Sequence, residues 1–148
     1  MKNVAVVRRF ATAAFLLRLL MVLPAARADE TNQATKVTFS QSVQIPGRVL
    51  PAGTYWFILP ENVNEHDRVR IYSSNRTVFY GVFSAAGAER LQPTDTTTFT
   101  FTERSSGQPQ AIVSWFYPGR TDGHEFLYDK HTQKELAKNR QVTVAAGD

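Results

Sequence analysis

Five residues between 122 and 131 carry side chains that bind metals or move protons: Asp122, His124, Glu125, Asp129 and His131. A metal centre needs nitrogen and oxygen donors that converge on one point. On a strand, neighbouring side chains point to opposite faces. His124 then shares a face with Phe126 and Tyr128, and Glu125 shares one with Leu127. One strand cannot bring both to a single ion. Asp122, His124 and His131 stay as candidate ligands, but the plainer expectation is polar residues at a loop edge and no metal. Glu103 and Glu125 could form a carboxylate pair of the glycosidase kind, although such pairs arise by chance in any β protein with this many acids. The chain has no Gly-x-Ser-x-Gly elbow, no phosphate-cradling glycine loop, no His-Glu-x-x-His and no cysteine nucleophile. It names no catalytic residue and no cofactor.

Aromatic side chains offer a different chemistry. Tyr55, Phe57 and Leu59 alternate with Trp56 and Ile58, and Ile112 and Phe116 oppose Val113, Trp115 and Tyr117. Two strands are therefore apolar on both faces, whereas an antiparallel sheet commonly has one apolar and one wet face. A loop or the C-terminal segment, through Leu136, Val142 and Val144, covers the second face, or that face stays open for binding. In the second case Trp56, Trp115 and Tyr117 are the candidate binding residues. Their flat rings suit a glycan or a partner protein, including a second copy of the chain.

The charge says where the chain goes. Its 148 residues carry 17 basic and 13 acidic side chains, a net +4. Five of the basic residues, Lys2, Arg8, Arg9, Arg18 and Arg27, and none of the acidic ones lie in 1–28. That segment has the layout of a secretory signal peptide: a positive start, an apolar stretch from Phe10 to Pro24, and Ala26-Arg27-Ala28 before Asp29. We expect a helical signal peptide over 1–28, cleaved between Ala28 and Asp29, a polar leader over 29–35, and one folded domain over 36–148. The apolar stretch is shorter than the ~20 residues a spanning helix needs, so no permanent membrane span is expected. The destination is the periplasm or the medium. The remaining 12 basic and 13 acidic residues nearly cancel and form no basic run, so no nucleic-acid partner is expected. With no cysteine, the exported domain is held by its core alone.

Period-two alternation runs from Val37 onward and predicts strands near 37–45, 54–59, 68–72, 77–84, 96–102, 110–117 and 124–128. Ala85 to Thr94 reads as irregular, and Gln141 to Ala145 as an edge strand or a tail. Thr132-x-x-Glu135 reads as a capping box opening a surface helix over 132–139. About seven short strands and one short C-terminal helix predict an all-β fold, an antiparallel β-sandwich or small barrel.

Leu50-Pro51-Ala52-Gly53-Thr54-Tyr55, within a stretch from Val37 to Phe57, and Trp115 to Tyr128 carry a resemblance. They are similar to a group of small secreted proteins of soil bacteria built on a domain of unknown function and marked by an LPAGTY segment. The likeness covers about 90 residues, Val37 to Tyr128. It implies a β-sandwich-like fold and export, and it brings no catalytic residue and no ligand. The function expected from all of this is a non-enzymatic binding or interaction module of the cell envelope or medium. The alternative is a small extracytoplasmic hydrolase or metal-dependent enzyme near Asp122, His124 and Glu125.

Overall fold

A computed structural model of the chain describes residues 25–29, 33–60, 68–105 and 107–146. Residues 1–24 of the expected signal peptide and the polar stretch 61–67 lie outside the described residues, and Ala25–Ala28, expected to end a helix, lie in a strand instead. Among the described residues the protein is mostly β, with one short helix near the C-terminus. The strands are β1 (Ala25–Asp29), β2 (Ala34–Phe39), β3 (Val43–Ile45), β4 (Arg48–Leu50), β5 (Gly53–Ile58), β6 (Arg68–Ser73), β7 (Phe79–Glu89), β8 (Thr98–Thr102), β9 (Gln110–Phe116), β10 (Asp122–Phe126) and β11 (Gln141–Ala145), with α1 (Lys130–Leu136) before the last.

These eleven strands, rather than about seven, join one continuous sheet in the order β1-β2-β5-β6-β7-β10-β9-β3-β4, with β8 on β9 and β11 on β8. The sheet is mixed rather than purely antiparallel, because β3 runs parallel to β9. The long strand β7 is the link: Phe79 to Ser84 pair with β6, and Ala85 to Glu89 pair with β10. The second half was expected to be irregular, since Ala85-Ala86-Gly87-Ala88 has little strand propensity. Pairing with β10 imposes the strand there. The alternating stretch 37–45 also divides. Its parity survives, with Val37, Phe39, Val43 and Ile45 buried, but the chain breaks at Ser40–Ser42 and passes from β5 to β9. Ala34 and Thr35 already belong to β2, and Asp29 to β1, so the polar leader is shorter than 29–35.

Phe57 holds the two halves of the sheet together. Its ring centroid lies 5.8 Å from Phe99, 5.8 Å from Trp115 and 6.2 Å from Phe126, all edge-on. Phe39 adds edge contacts to Phe99 and Phe101. Edge-to-face pairs at this spacing add to the stabilisation from burial. Leu136 of α1 is buried in the same cluster and Val144 of β11 packs on it.

Polar side chains tie the ends. The Tyr128 hydroxyl, buried, lies 2.7 Å from the Ile112 carbonyl oxygen and 3.0 Å from that of Gln44, so it donates at the parallel β3–β9 junction. Burial pushes its pKa up, which keeps the donor proton in place. The Tyr55 hydroxyl donates to the Pro51 carbonyl at 2.7 Å, closing the turn of the LPAGTY segment. Helix α1 opens two residues earlier than expected, ends at Leu136 rather than 139, and is capped by a different device. Asp129 is the cap: its Oδ1 accepts the His131 and Thr132 amides, and the Thr132 hydroxyl donates to its Oδ2. Glu135 reaches Arg104 at 3.0 Å instead of returning to the helix start, so no capping box forms.

The second face of β9 is covered by Arg90. Its guanidinium lies 4.9 Å from the Phe116 ring centroid. It also donates to the Arg120 and Tyr117 carbonyls and to the Thr94 and Thr98 hydroxyls, all at 2.8–3.0 Å. Beneath the Phe116 ring, Gly123 of β10 leaves the space the ring fills. A Cβ at Gly123 would stand 2.3 Å from Phe116 Cδ1. We therefore expect Gly123→Ala to cost about 1–3 kcal/mol of stability by overpacking. A urea denaturation midpoint equal to that of the parent chain would refute this close fit.

Candidate functional site

The structure separates the three aromatic residues singled out by sequence. Trp115 is fully buried at 0% exposure, and Tyr117 is buried beside it with ring centroids 4.8 Å apart. Both belong to the core cluster and expose little surface, although Tyr117 also lines a small cavity with Gln33, Pro118 and Arg120. The second face of their strand was expected either to be covered by a loop or the C-terminal segment or to stay open; the β8–β9 register shifts between Thr100 and Phe101, and Arg90 packs on Phe116 of that face. Trp56 alone of the three reaches solvent, half-buried on the outer face of β5.

That outer face carries a row that crosses four strands. Lys36 of β2 pairs with Trp56, Trp56 with Tyr72 of β6, and Tyr72 with Phe79 of β7. Three steps between neighbouring strands span about 14 Å. The Tyr72 and Phe79 rings lie 4.9 Å apart. Phe79 is 52% exposed and Val78 50%, and Val82 lies exposed further along β7. Arg68 and Arg70 share the parity of Tyr72 on β6.

A turn adds the remaining cation. Ser73 to Val78 close the β6–β7 hairpin, with Ser73 N donating to Val78 O at 2.9 Å and Arg76 N to Ser73 O at 2.9 Å. Asn75 Oδ1 accepts from Ser73 Oγ, Thr77 Oγ1 and Thr77 N. The Asn75 side chain, part of an Asn-x-Thr pattern, thus serves the turn. Arg76 is held at φ 59°, a left-handed conformation uncommon for a side chain of this kind. Its guanidinium lies 4.2 Å from the Trp56 ring centroid, and the Lys36 ammonium lies 5.8 Å from it. The Trp56 indole N–H donates to the Ser74 carbonyl at 3.0 Å, fixing the ring under both cations. Among the described residues, no carboxylate pairs with Lys36 or Arg76.

The proton-moving candidates occupy a different place. Asp122 and His124 line a cleft of about 470 Å³ with Glu89, Arg120, Gln33 and the backbone of 87–88. Asp122 is engaged there: Arg120 donates to both its oxygens, at 3.0 and 2.8 Å. That hydrogen bonding holds the Asp122 pKa below the ordinary carboxylate value, even against partial burial. His124 lies 5.8 Å, ring to ring, from Trp115. His131 stands on α1, exposed, and Glu125 has the opposite parity to His124. Among the described residues, no group of three or more His, Asp or Glu side chains could hold a metal ion. Ala28 and Asp29, the expected cleavage pair, lie in β1 opposite Thr35 and Ala34.

The sequence did not single out Lys36, Tyr72, Arg76 or Phe79. Alternation placed Tyr72 outward, because Val69 and Ile71 point inward, but nothing local shows which residues stand beside it. Only the strand register does that. No protein-family model, curated protein or solved structure matches the chain.

The Arg120–Asp122 pair carries a pH signature. Asp122 has a depressed pKa when folded, so its ionised form stabilises the protein above its unfolded value near 3.8. That contribution is lost as the pH falls through the lower folded value. Asp122→Asn should be slightly less stable than the parent at neutral pH, slightly because the pair is solvent-exposed. The two should converge on acidification. A difference in urea midpoint that persists at low pH would show that the pair is not its source.

Proposed function

We propose that the mature chain is a non-enzymatic binding module, exported to the cell envelope or the medium, that engages its partner through the outer face of β2, β5, β6 and β7. In this reading the folded-over sheet works as a β-sandwich: Phe57 and its neighbours fill the inside, and the Trp56–Tyr72–Phe79 row is the contact surface. The observation that carries it is a contrast between two strands. Both β5 and β9 are apolar on two faces, but Arg90 seals β9, while the Trp56 side of β5 keeps half-exposed rings and valines beside it. Exposed apolar groups clustered on one face mark interaction surfaces. The engaged state of Asp122 also favours binding over catalysis, since a carboxylate held by Arg120 makes a poor base. The likeness to exported bacterial proteins with an LPAGTY segment supports the destination.

Two experiments test this. Affinity electrophoresis of the purified protein through gels containing acidic and neutral polysaccharides should show retardation in at least one of them. Phe79→Ser should abolish most of it, with thermal stability kept, because a half-exposed ring contributes little to the core. No retardation in any gel, or equal retardation of the variant, would sink the contact surface. Export is tested separately, since mass spectrometry of the exported protein should give an N-terminus at Asp29. An intact Met1 there would overturn the processing step. Cleavage at that bond removes Ala25–Ala28 and leaves β2 as the edge of the sheet.

A further inference from the structure

The outer face has a chemical bias that narrows its partner. Lys36 and Arg76 both sit over the Trp56 ring, and neither has a carboxylate partner among the described residues. Elsewhere the exposed arginine of a turn finds one: Arg120 is held by Asp122. Arg76 is also costly to place, since a non-glycine residue at φ 59° is strained unless its surroundings fix it. Here Asn75 fixes it, with three hydrogen bonds inside the turn. The result is a guanidinium with its donor groups unused by described residues, stacked on an indole that is itself pinned by the Ser74 carbonyl. Next to it the Tyr72 and Phe79 rings continue the row for the width of two more strands.

We infer that this surface binds an acidic polysaccharide, with Arg76 and Lys36 meeting its carboxylates and Tyr72 and Phe79 meeting the apolar faces of its sugar rings. The inference rests on the contact surface proposed above and deepens it. Charge complementarity is the argument. Cations sit at one end of the row and rings at the other, and a carboxylated sugar unit carries an anionic group on the edge of a ring with apolar faces. Guanidinium recognises carboxylate through paired N–H donors, a strong form of hydrogen bond. Aromatic rings supply contact area at small entropic cost. A neutral glycan offers no carboxylate to either cation. A lipid surface would call for a continuous apolar patch, and here two cations lie over the largest ring.

Isothermal titration of the purified protein with polygalacturonate, dextran and anionic phosphatidylglycerol vesicles tests this. Polygalacturonate should bind, more weakly as salt is raised, and dextran and the vesicles should not. Arg76→Ala should lose about tenfold in affinity, the loss of one charged hydrogen-bonded contact. Arg76→Lys should recover part of it, and Lys134→Ala, exposed on α1, should change nothing. If dextran binds as tightly and Phe79→Ser abolishes it, the contact surface stands and the acidic preference falls. If the vesicles bind and polygalacturonate does not, the partner is a membrane and the inference is overturned. If nothing binds, both the surface and its preference fall.

Discussion

The Phe57 ring, packed between Phe99, Trp115 and Phe126, is the contact on which the fold depends. It joins strands that do not pair directly among the described residues, where β5 pairs with β2 and β6. The ladder runs through β7, and a ladder alone would permit an open, bent sheet. Burial of these rings brings β5 into contact with β8, β9 and β10. Removing a buried phenylalanine of this kind costs about 3–5 kcal/mol, a large share of the stability of a small domain.

A cysteine-free chain must fasten its ends by other means. Three polar side chains do so at places where the ladder is weakest. Tyr128 donates across the parallel β3–β9 junction. Arg90 binds two carbonyls and two hydroxyls of the segments that flank β8 and β10. Arg104 joins Glu135 of α1 to Gln44 of β3. The Ile112 carbonyl is buried, and leaving it without its donor would cost more than the net worth of a typical hydrogen bond. Burial draws the Arg90 pKa down, yet its bonds and the Phe116 ring beneath keep the charge accommodated.

Function follows from what this fastening leaves uncovered. Every aromatic ring of the inner faces has aromatic or aliphatic neighbours in the core cluster. On the outer face, Trp56 has two cations instead, and Phe79 lies against Tyr72 and is half-exposed. The same residue type thus serves stability or recognition according to which side of one strand it occupies. Trp56 and Phe57 are chain neighbours and differ in this respect only by the pleat of the strand.

Alternation in the sequence determined a good part of this protein. It set the β class, the shared parity of Val37, Phe39, Val43 and Ile45, and the inward parity of Tyr55, Phe57, Val69 and Ile71, because strand pleating turns a period of two into two faces; whether the Trp56 face was covered it left open. A short helix was legible over 132–139, but its start at Lys130, its end at Leu136 and its cap at Asp129 were not, since Thr132 and Glu135 form an equally good local signal and Glu135 is instead drawn to Arg104. Tertiary structure decided the rest. It made Ala85–Glu89 a strand, buried Trp115 and Tyr117, set Asp122 against Arg120, and placed Lys36, Trp56, Tyr72 and Phe79 in one row. Each of these depends on register between strands distant in sequence. Register is fixed by the summed packing of a whole face and not by the residues of any one strand.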